Sequence, residues 1–290
     1  MPEVPSVWTV LGMLEWATEY FEERGVKSPR FSIEWLLADA LSIKRLDLYL
    51  EYDRPLSSEE LDIIRPMVKR RARHEPLQYI TGETDFHRVT LKVKPGVLIP
   101  RQETEELVDW ILKSYPSDSK LTVLDIGTGS GCIPIALKNE RPDWEVYATD
   151  ISPEALDIAK ENAALNNVEI YFEQDDLFTN TAFPDVSFDL VISNPPYILR
   201  EEESALDKEV KDYEPALALF CESTDNMYRA IEQLCSQKLT KDGSLFLEIH
   251  ENHSDEVLEL FLNRNWNGFI KKDYSDKPRF FKGKKTKNSG

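Results

Sequence analysis

Apolar positions in the first quarter of the chain recur at three- and four-residue spacing: Leu11, Leu14, Ala17 and Phe21, then Trp35, Leu36, Leu41, Leu46 and Leu50. That period puts them on one face of a helix, and it predicts helical structure from Ser6 to about His74. Gly25, Pro29 and Pro55 interrupt the pattern. Ser57-Ser58-Glu59-Glu60 offers an N-cap and an acidic first turn for a helix running toward Arg73, and Pro66 inside it predicts a kink or a break. The texture then changes. Tyr79-Ile80-Thr81-Gly82 and the stretch from Phe86 to Val93 are rich in β-branched and aromatic residues. Pro95-Gly96 makes a turn before strand-like Val97-Leu98-Ile99, which Pro100 ends, so a β-hairpin is expected here.

Glu103 to Lys113 has the spacing of an amphipathic helix. From Leu121 onward strand and helix signals alternate. Strands are expected at Leu121 to Ile126, Glu145 to Thr149, Glu169 to Phe172, Phe188 to Ser193 and Ser244 to Ile249. Helices are expected through about Asn139, over Pro153 to Leu165, Asp225 to Leu239 and Ser254 to Asn263. Such alternation implies an α/β fold, a largely parallel sheet covered by helices on both faces. The division expected is a helical bundle over residues 1–74, a β-hairpin linker over 75–100 and the sheet domain over 101–290.

Composition narrows the class. At 290 residues the chain is long enough for one large and one small domain. No apolar run approaches the ~20 residues a membrane span needs, and Met1 to Trp16 lacks the basic start of a secretory leader; a cytoplasmic protein is expected. Cys132, Cys221 and Cys235 are odd in number and widely spaced, which suits reduced structural thiols rather than a disulfide framework or a metal site. The net charge of −18 argues against a generic nucleic-acid binder. Basic residues do cluster at Lys69-Arg70-Arg71-Ala72-Arg73 and from Lys282 to Lys287. They are read as a solvated helix face and a frayed terminus.

The candidate chemistry lies at the ends of the expected strands. Asp125-Ile126-Gly127-Thr128-Gly129-Ser130-Gly131 follows a buried strand and opens a helix, a place where glycines let a ligand approach the backbone. The spacing is G-x-G-x-G rather than the G-x-G-x-x-G of pyrophosphate loops, and Asp125 would repel a pyrophosphate but suit a cationic or amino group. Asp150 ends the second strand, where a carboxylate accepts hydrogen bonds from ribose hydroxyls. Asp176 is placed to receive an adenine amino group, with Leu177 as an apolar face for the ring. Asp125, the three glycines and Asp150 in this order form a more specific set than a glycine turn alone.

Asn194-Pro195-Pro196-Tyr197 ends the strand from Phe188. Pro196 biases Pro195 to an extended conformation, which fixes the direction of its carbonyl. The Asn194 side-chain carbonyl adds a second acceptor, and two acceptors match the two donors of a substrate –NH2 group. Tyr197 offers a ring for a planar substrate. A planar amide nitrogen is a poor nucleophile, and two such acceptors would aim its lone pair and stabilise the positive charge developing on it.

Asp125 to Gly131 combined with Asn194 to Tyr197 resembles the amino-methyltransferases, which act on adenine N6 or on protein glutamine. Glu75-Pro76-Leu77-Gln78-Tyr79-Ile80-Thr81-Gly82 and Gly96-Val97-Leu98-Ile99-Pro100-Arg101-Gln102-Glu103-Thr104-Glu105 are similar to the peptide chain release factor glutamine methyltransferase family. The resemblance spans nearly the whole chain. It implies a Rossmann-like class I methyltransferase domain with S-adenosyl-L-methionine as donor and S-adenosyl-L-homocysteine as product. The implied substrate is the glutamine of the Gly-Gly-Gln loop of class I release factors, methylated on N5, with the N-terminal bundle helping to recognise that partner. Gly127, Thr128, Gly129, Ser130, Gly131, Asp125, Asp150, Asp176, Leu177 and Asn194 would hold the cofactor. Asn194, Pro195, Pro196 and Tyr197 would hold the glutamine, with Asn194 and Pro195 in the catalytic role; Arg101 and Glu103 would shape the entrance, unless they form a surface salt bridge. A monomer with no membrane and no sequence-specific nucleic-acid partner is expected. A glutamine in a ribosomal protein is the nearest rival substrate, and adenine N6 a further one. Two departures stand out. Gln102 replaces the family's proline after the arginine, and Glu248-Ile249-His250-Glu251-Asn252-His253 stands where the family tends to have Glu-Ile-Gly. The second is expected to alter a turn away from the chemistry.

Overall fold

The computed structural model describes residues 7–286. Its contacts divide the chain into two compact units, one ending at Gly82 and taking in Asp207–Tyr213, the other formed by Glu83–Leu206 and the chain from Glu214 on. This differs from the expected cuts at 74 and 100: the hairpin belongs to the sheet unit, and a short later segment belongs to the helical one.

The helical unit contains α1 (Val10–Glu22), α2 (Pro29–Leu41), α3 (Ser58–Arg71) and α4 (Leu77–Thr81). Of the periodic apolar residues, Leu14, Ala17, Phe21 and Leu36 are fully buried in its core beside Ile33 and Ile64, whereas Trp35, Leu46 and Leu50 are exposed. Ser57 caps α3 in a reciprocal box with Glu60, as its sequence predicts. The expected break at Pro66 does not occur. The helix runs through it to Arg71, because Leu61, Ile64, Met67 and Val68 bury one continuous face across the proline. The basic cluster at the end of α3 is solvated only in part, with Lys69 and Arg73 exposed. Arg71 is buried, donating to Ser32 Oγ, the Glu75 carbonyl and Glu209. Arg70 pairs with Glu75 and reaches the Tyr79 carbonyl. These donors, with Gly82 as a left-handed C-cap, hold residues 77–81 as helix where β-rich composition predicted strand.

The sheet unit begins with the hairpin β1 (Glu83–Phe86) and β2 (Val89–Lys92). Residues 97–99, expected as a strand, belong to no strand. Val97 packs instead on Ala155 and Ile158, and Ile99 is buried. Then come α5 (Gln102–Ser114), β3 (Thr122–Ile126), α6 (Cys132–Glu140), β4 (Glu145–Asp150), α7 (Pro153–Leu165), β5 (Tyr171–Gln174), β6 (Phe188–Ser193) and the short β7 (Ile198–Leu199). The chain passes through α8 (Lys208–Tyr213) of the helical unit. It continues with α9 (Ala216–Leu219), β8 (Phe220–Cys221), α10 (Thr224–Lys238), β9 (Leu239–Glu248), α11 (Ser254–Leu262), β10 (Trp266–Lys272) and β11 (Pro278–Lys285).

Among the described residues, seven strands form one sheet in the order β10-β11-β9-β6-β3-β4-β5. The pairs β9–β6, β6–β3, β3–β4 and β4–β5 are parallel, as the alternation predicted. β11 is antiparallel to both its neighbours, a C-terminal ribbon that the sequence reading did not contain. Residues read as a frayed basic tail therefore lie on a strand. Lys282 donates to Ser114 Oγ and sits over the Trp110 and Phe246 rings, and Lys285 donates to Ser236 Oγ; Lys287 is outside the described residues. Strand order reverses between β3 and β6, so the crevice beyond their carboxyl ends is where a ligand is expected in such a sheet.

Candidate active site

The loop after β3 is shaped by backbone. The Gly127 and Thr128 N–H groups both donate to the Thr149 carbonyl on β4 at 2.9 Å. Gly127 and Gly129 have φ of 70° and 55°, the left-handed region that favours glycine. Gly131 serves packing: a Cβ there would stand 3.1 Å from the Ala159 Cβ and 3.0 Å from Ile135 Cδ1, so its absence lets α6 start close against α7. Asn162 on α7 ties the assembly together. Its amide group donates to the Ser130 and Lys92 carbonyls and accepts from the Lys92 N–H, fixing both loop and hairpin.

Two carboxylates flank this loop. Asp150, the last residue of β4, accepts from the Gly129 N–H at 2.8 Å through one oxygen and from the Ser152 N–H at 2.9 Å through the other. Burial raises its pKa, and those backbone donors oppose the rise. Each oxygen keeps a second lone pair for an outside donor. Asp125 is buried with neither carboxylate oxygen hydrogen-bonded. Burial pushes it up to about 7, with the Thr128 hydroxyl opposing the shift and the Asp150 charge adding to it. After β5, Asp176 accepts from the Phe178 N–H at 2.9 Å, so one of its oxygens already shapes the local turn.

At the end of β6 the chain enters Asn194-Pro195-Pro196. Ser193 Oγ donates to the Ile126 carbonyl at 2.8 Å, locking this turn to β3. Asn194 Nδ2 lies 3.3 Å from Thr104 Oγ1 at the start of α5, and that hydroxyl donates to Glu248 Oε2 at 2.8 Å. Tyr197 turns its hydroxyl to Glu248 Oε1 at 3.4 Å, while its ring meets His250 edge-on at 5.7 Å. Glu248, the last residue of β9, is 2% exposed. Burial pushes its carboxyl up to about 7, against the Thr104 hydrogen bond and the Arg279 charge. Glu248 and His250 thus touch the turn at Tyr197, whereas the segment 248–253 was expected to lie away from it. His250 opens a 3-10 turn by accepting from the Asn252 N–H.

A cavity of about 460 Å³ joins these parts. Gly127, Thr128, Gly129 and Ser130 line it, with Asp150, Asp176 and Leu177 on one side and Asn194, Pro195 and Pro196 on the other. Asp125, Gly131, Tyr197, Arg101 and Glu103 do not line it. Asp125 lies behind the wall, and Glu103 is half-buried in the first turn of α5. Arg101 donates to the buried Glu214 at 2.5 Å. It thereby anchors the segment whose next residues, Pro215 to Ala218, do form a wall. Thr104, Ser193, Ile151 and Met227 also line the cavity and had no role in the sequence reading. Cys132 lines it too, but burial pushes its thiol up to about 12, which leaves it a poor nucleophile.

The comparisons with known proteins agree along the chain. Residues 12–82 match the PrmC N-terminal domain, and residues 89–211 match the methyltransferase small domain. A release factor glutamine methyltransferase of Geobacter sulfurreducens is 40% identical over 90% of this chain and 91% of its own length. One from Streptococcus pneumoniae is 45% identical over 71% of this chain and 72% of its own. Among solved structures, the human Mettl16 catalytic domain bound to an RNA hairpin superposes with a TM-score of 0.55 at 15% identity, over 77% of this chain and 83% of that one, which speaks to the fold alone. With two-domain matches in register and relatives this similar over most of their length, the chain belongs to the release factor glutamine methyltransferase family.

Proposed function

We propose that the chain methylates the N5 side-chain nitrogen of the glutamine in the Gly-Gly-Gln motif of peptide chain release factors, with S-adenosyl-L-methionine as donor. The observation that carries this reading is the single cavity that joins the glycine loop to the Asn194-Pro195-Pro196 turn. The residues fit the donor. A Cβ added at Gly127 or Gly129 would meet nothing within 4 Å, so the loop faces open space. Asp150 holds free lone pairs at the cavity for ribose hydroxyls. Asp176 and Leu177 would hold the base. The donor supplies an electrophilic methyl group.

What the chain itself contributes is orientation and charge. The Asn194 side-chain carbonyl and the Pro195 carbonyl would accept the two N–H groups of the glutamine amide, turning the nitrogen lone pair toward the donor site. Both acceptors also stabilise the positive charge that develops on nitrogen, without reorganising during the reaction. Tyr197, behind the wall, would stiffen the turn. Arg101 and Glu214 would shape the mouth. The helical unit would recognise the release factor.

The test is a set of incubations with isotopically labelled S-adenosyl-L-methionine and, separately, release factor, its Gln→Ala loop variant, a ribosomal protein and DNA. Label is expected on the release factor alone. Label on the Gln→Ala variant would overturn the reading, and label on the ribosomal protein or DNA in its place would move the substrate to that class.

A further inference from the structure

Four side chains from three distant parts of the sheet unit form one hydrogen-bonded chain: Asn194 Nδ2 to Thr104 Oγ1, Thr104 Oγ1 to Glu248 Oε2, and Tyr197 Oη to Glu248 Oε1. Thr104 and Glu248 are each 2% exposed. A threonine hydroxyl carries one proton. When Glu248 is ionised, that proton is held by its carboxylate at 2.8 Å, and only lone pairs remain to face Asn194. The carboxamide must then present its NH2 group to Thr104, since the reverse orientation would set two acceptors 3.3 Å apart. Its carbonyl is the end left for the cavity, which Asn194 lines.

We propose that Thr104 and Glu248 are positioning residues: the Glu248 carboxylate orients the Thr104 hydroxyl, and the hydroxyl fixes the Asn194 carboxamide with its carbonyl toward the substrate. This rests on the reading of Asn194 as an acceptor for the glutamine amide. An unconstrained carboxamide can flip and offer donors to a group that itself has only donors. Thr104 in the cavity wall and Glu248 behind it remove that freedom, so binding of substrate need not select the productive orientation. Tyr197, whose hydroxyl burial and the Glu248 charge keep protonated, is the second donor on the same carboxylate.

The test compares Thr104→Val, Thr104→Ser and Glu248→Ala with the unmodified enzyme. The first readout is the nitrogen–proton spectrum of the Asn194 side chain, assigned by its disappearance in Asn194→Ala. One of its two protons should show the shift and slow exchange of a hydrogen bond in the unmodified enzyme and in Thr104→Ser, and lose both in Thr104→Val and Glu248→Ala. The second is methyl transfer to release factor. Thr104→Val should lose about 10- to 100-fold in kcat with cofactor affinity and KM little changed, and Thr104→Ser should recover most of it. An Asn194 signal that does not differ between the unmodified enzyme and both disrupting variants would overturn the proposal, as would a Thr104→Val enzyme of undiminished kcat. If the unmodified enzyme leaves release factor unlabelled, the proposed function fails, while the Asn194 signal still decides whether Thr104 orients the carboxamide.

Discussion

The two ends of the cavity are built in different ways. The glycine-loop end is made of backbone: N–H groups of Gly127, Thr128 and Gly129 are fixed by the Thr149 carbonyl and the Asp150 carboxylate, within 24 residues of chain. The Asn194 end depends on side chains brought from far away, with Thr104 standing 90 positions and Glu248 54 positions from Asn194. Backbone geometry tolerates change of side chain but not of dihedral angle. A side-chain relay is the reverse: it fails when one hydroxyl is lost although no dihedral moves.

Substitutions can separate the two ends. The largest effect is expected at Asn194→Ala, which removes one of the two acceptors proposed for the glutamine amide. Its kcat should fall by about 10²–10³-fold, the cost of deleting one preorganised partner, with calorimetric cofactor affinity nearly unchanged. A comparable loss of affinity would mean that the two ends are not distinct. The converse is expected at Gly129→Ala. A Cβ meets nothing there, but a φ of 55° costs an L-residue roughly 1–2 kcal/mol, so cofactor affinity should drop about tenfold while kcat at saturation holds.

A pH effect sharpens the comparison. Asp125 holds its proton more tightly in the folded state, about 7 against an ordinary 3.8. Between those values the folded protein binds more protons than the unfolded one, so stability falls as pH rises through the window. Melting curves of the enzyme and of Asp125→Asn should therefore converge at the acid end and separate toward neutrality, the variant gaining ~5 °C relative to the parent. Parallel curves would mean that Asp125 ionises freely. The smallest effect is expected at Arg101→Lys. A single ammonium in place of the guanidinium weakens the hold on Glu214, and KM for release factor should rise about threefold with kcat unchanged.

How far the sequence could be read follows the same division. The strand, glycine loop and following helix are local, and so is the Asn-Pro-Pro turn; β6 and α7 fall where the periodicity put them. The helix at residues 77–81 was misread because its cause is tertiary: Arg70 donates to the Tyr79 carbonyl, and no window of composition contains that bond. The β10–β11 ribbon was missed because Lys271, Lys272, Lys282, Lys284 and Lys285 make its strands look like a solvated tail, whereas the stem of Lys282 lies over aromatic rings. Thr104 falls within the segment from Gly96 to Glu105, where nothing in the sequence assigns it a role. Glu248 was noticed only for the residues after it. Neither shows a local signal of its function, since what matters is the distance from each to Asn194.

The claim that most needs testing is that the Asn194 end of the cavity holds a glutamine side chain of a release factor. Tandem mass spectrometry of release factor after incubation with enzyme and S-adenosyl-L-methionine addresses it directly. One methyl group is expected, on the side-chain nitrogen of the Gly-Gly-Gln glutamine, and it should form far more slowly when Asn194→Ala replaces the enzyme. A methyl group on any other residue, or an unmodified glutamine under conditions where the enzyme consumes its donor, would contradict the account.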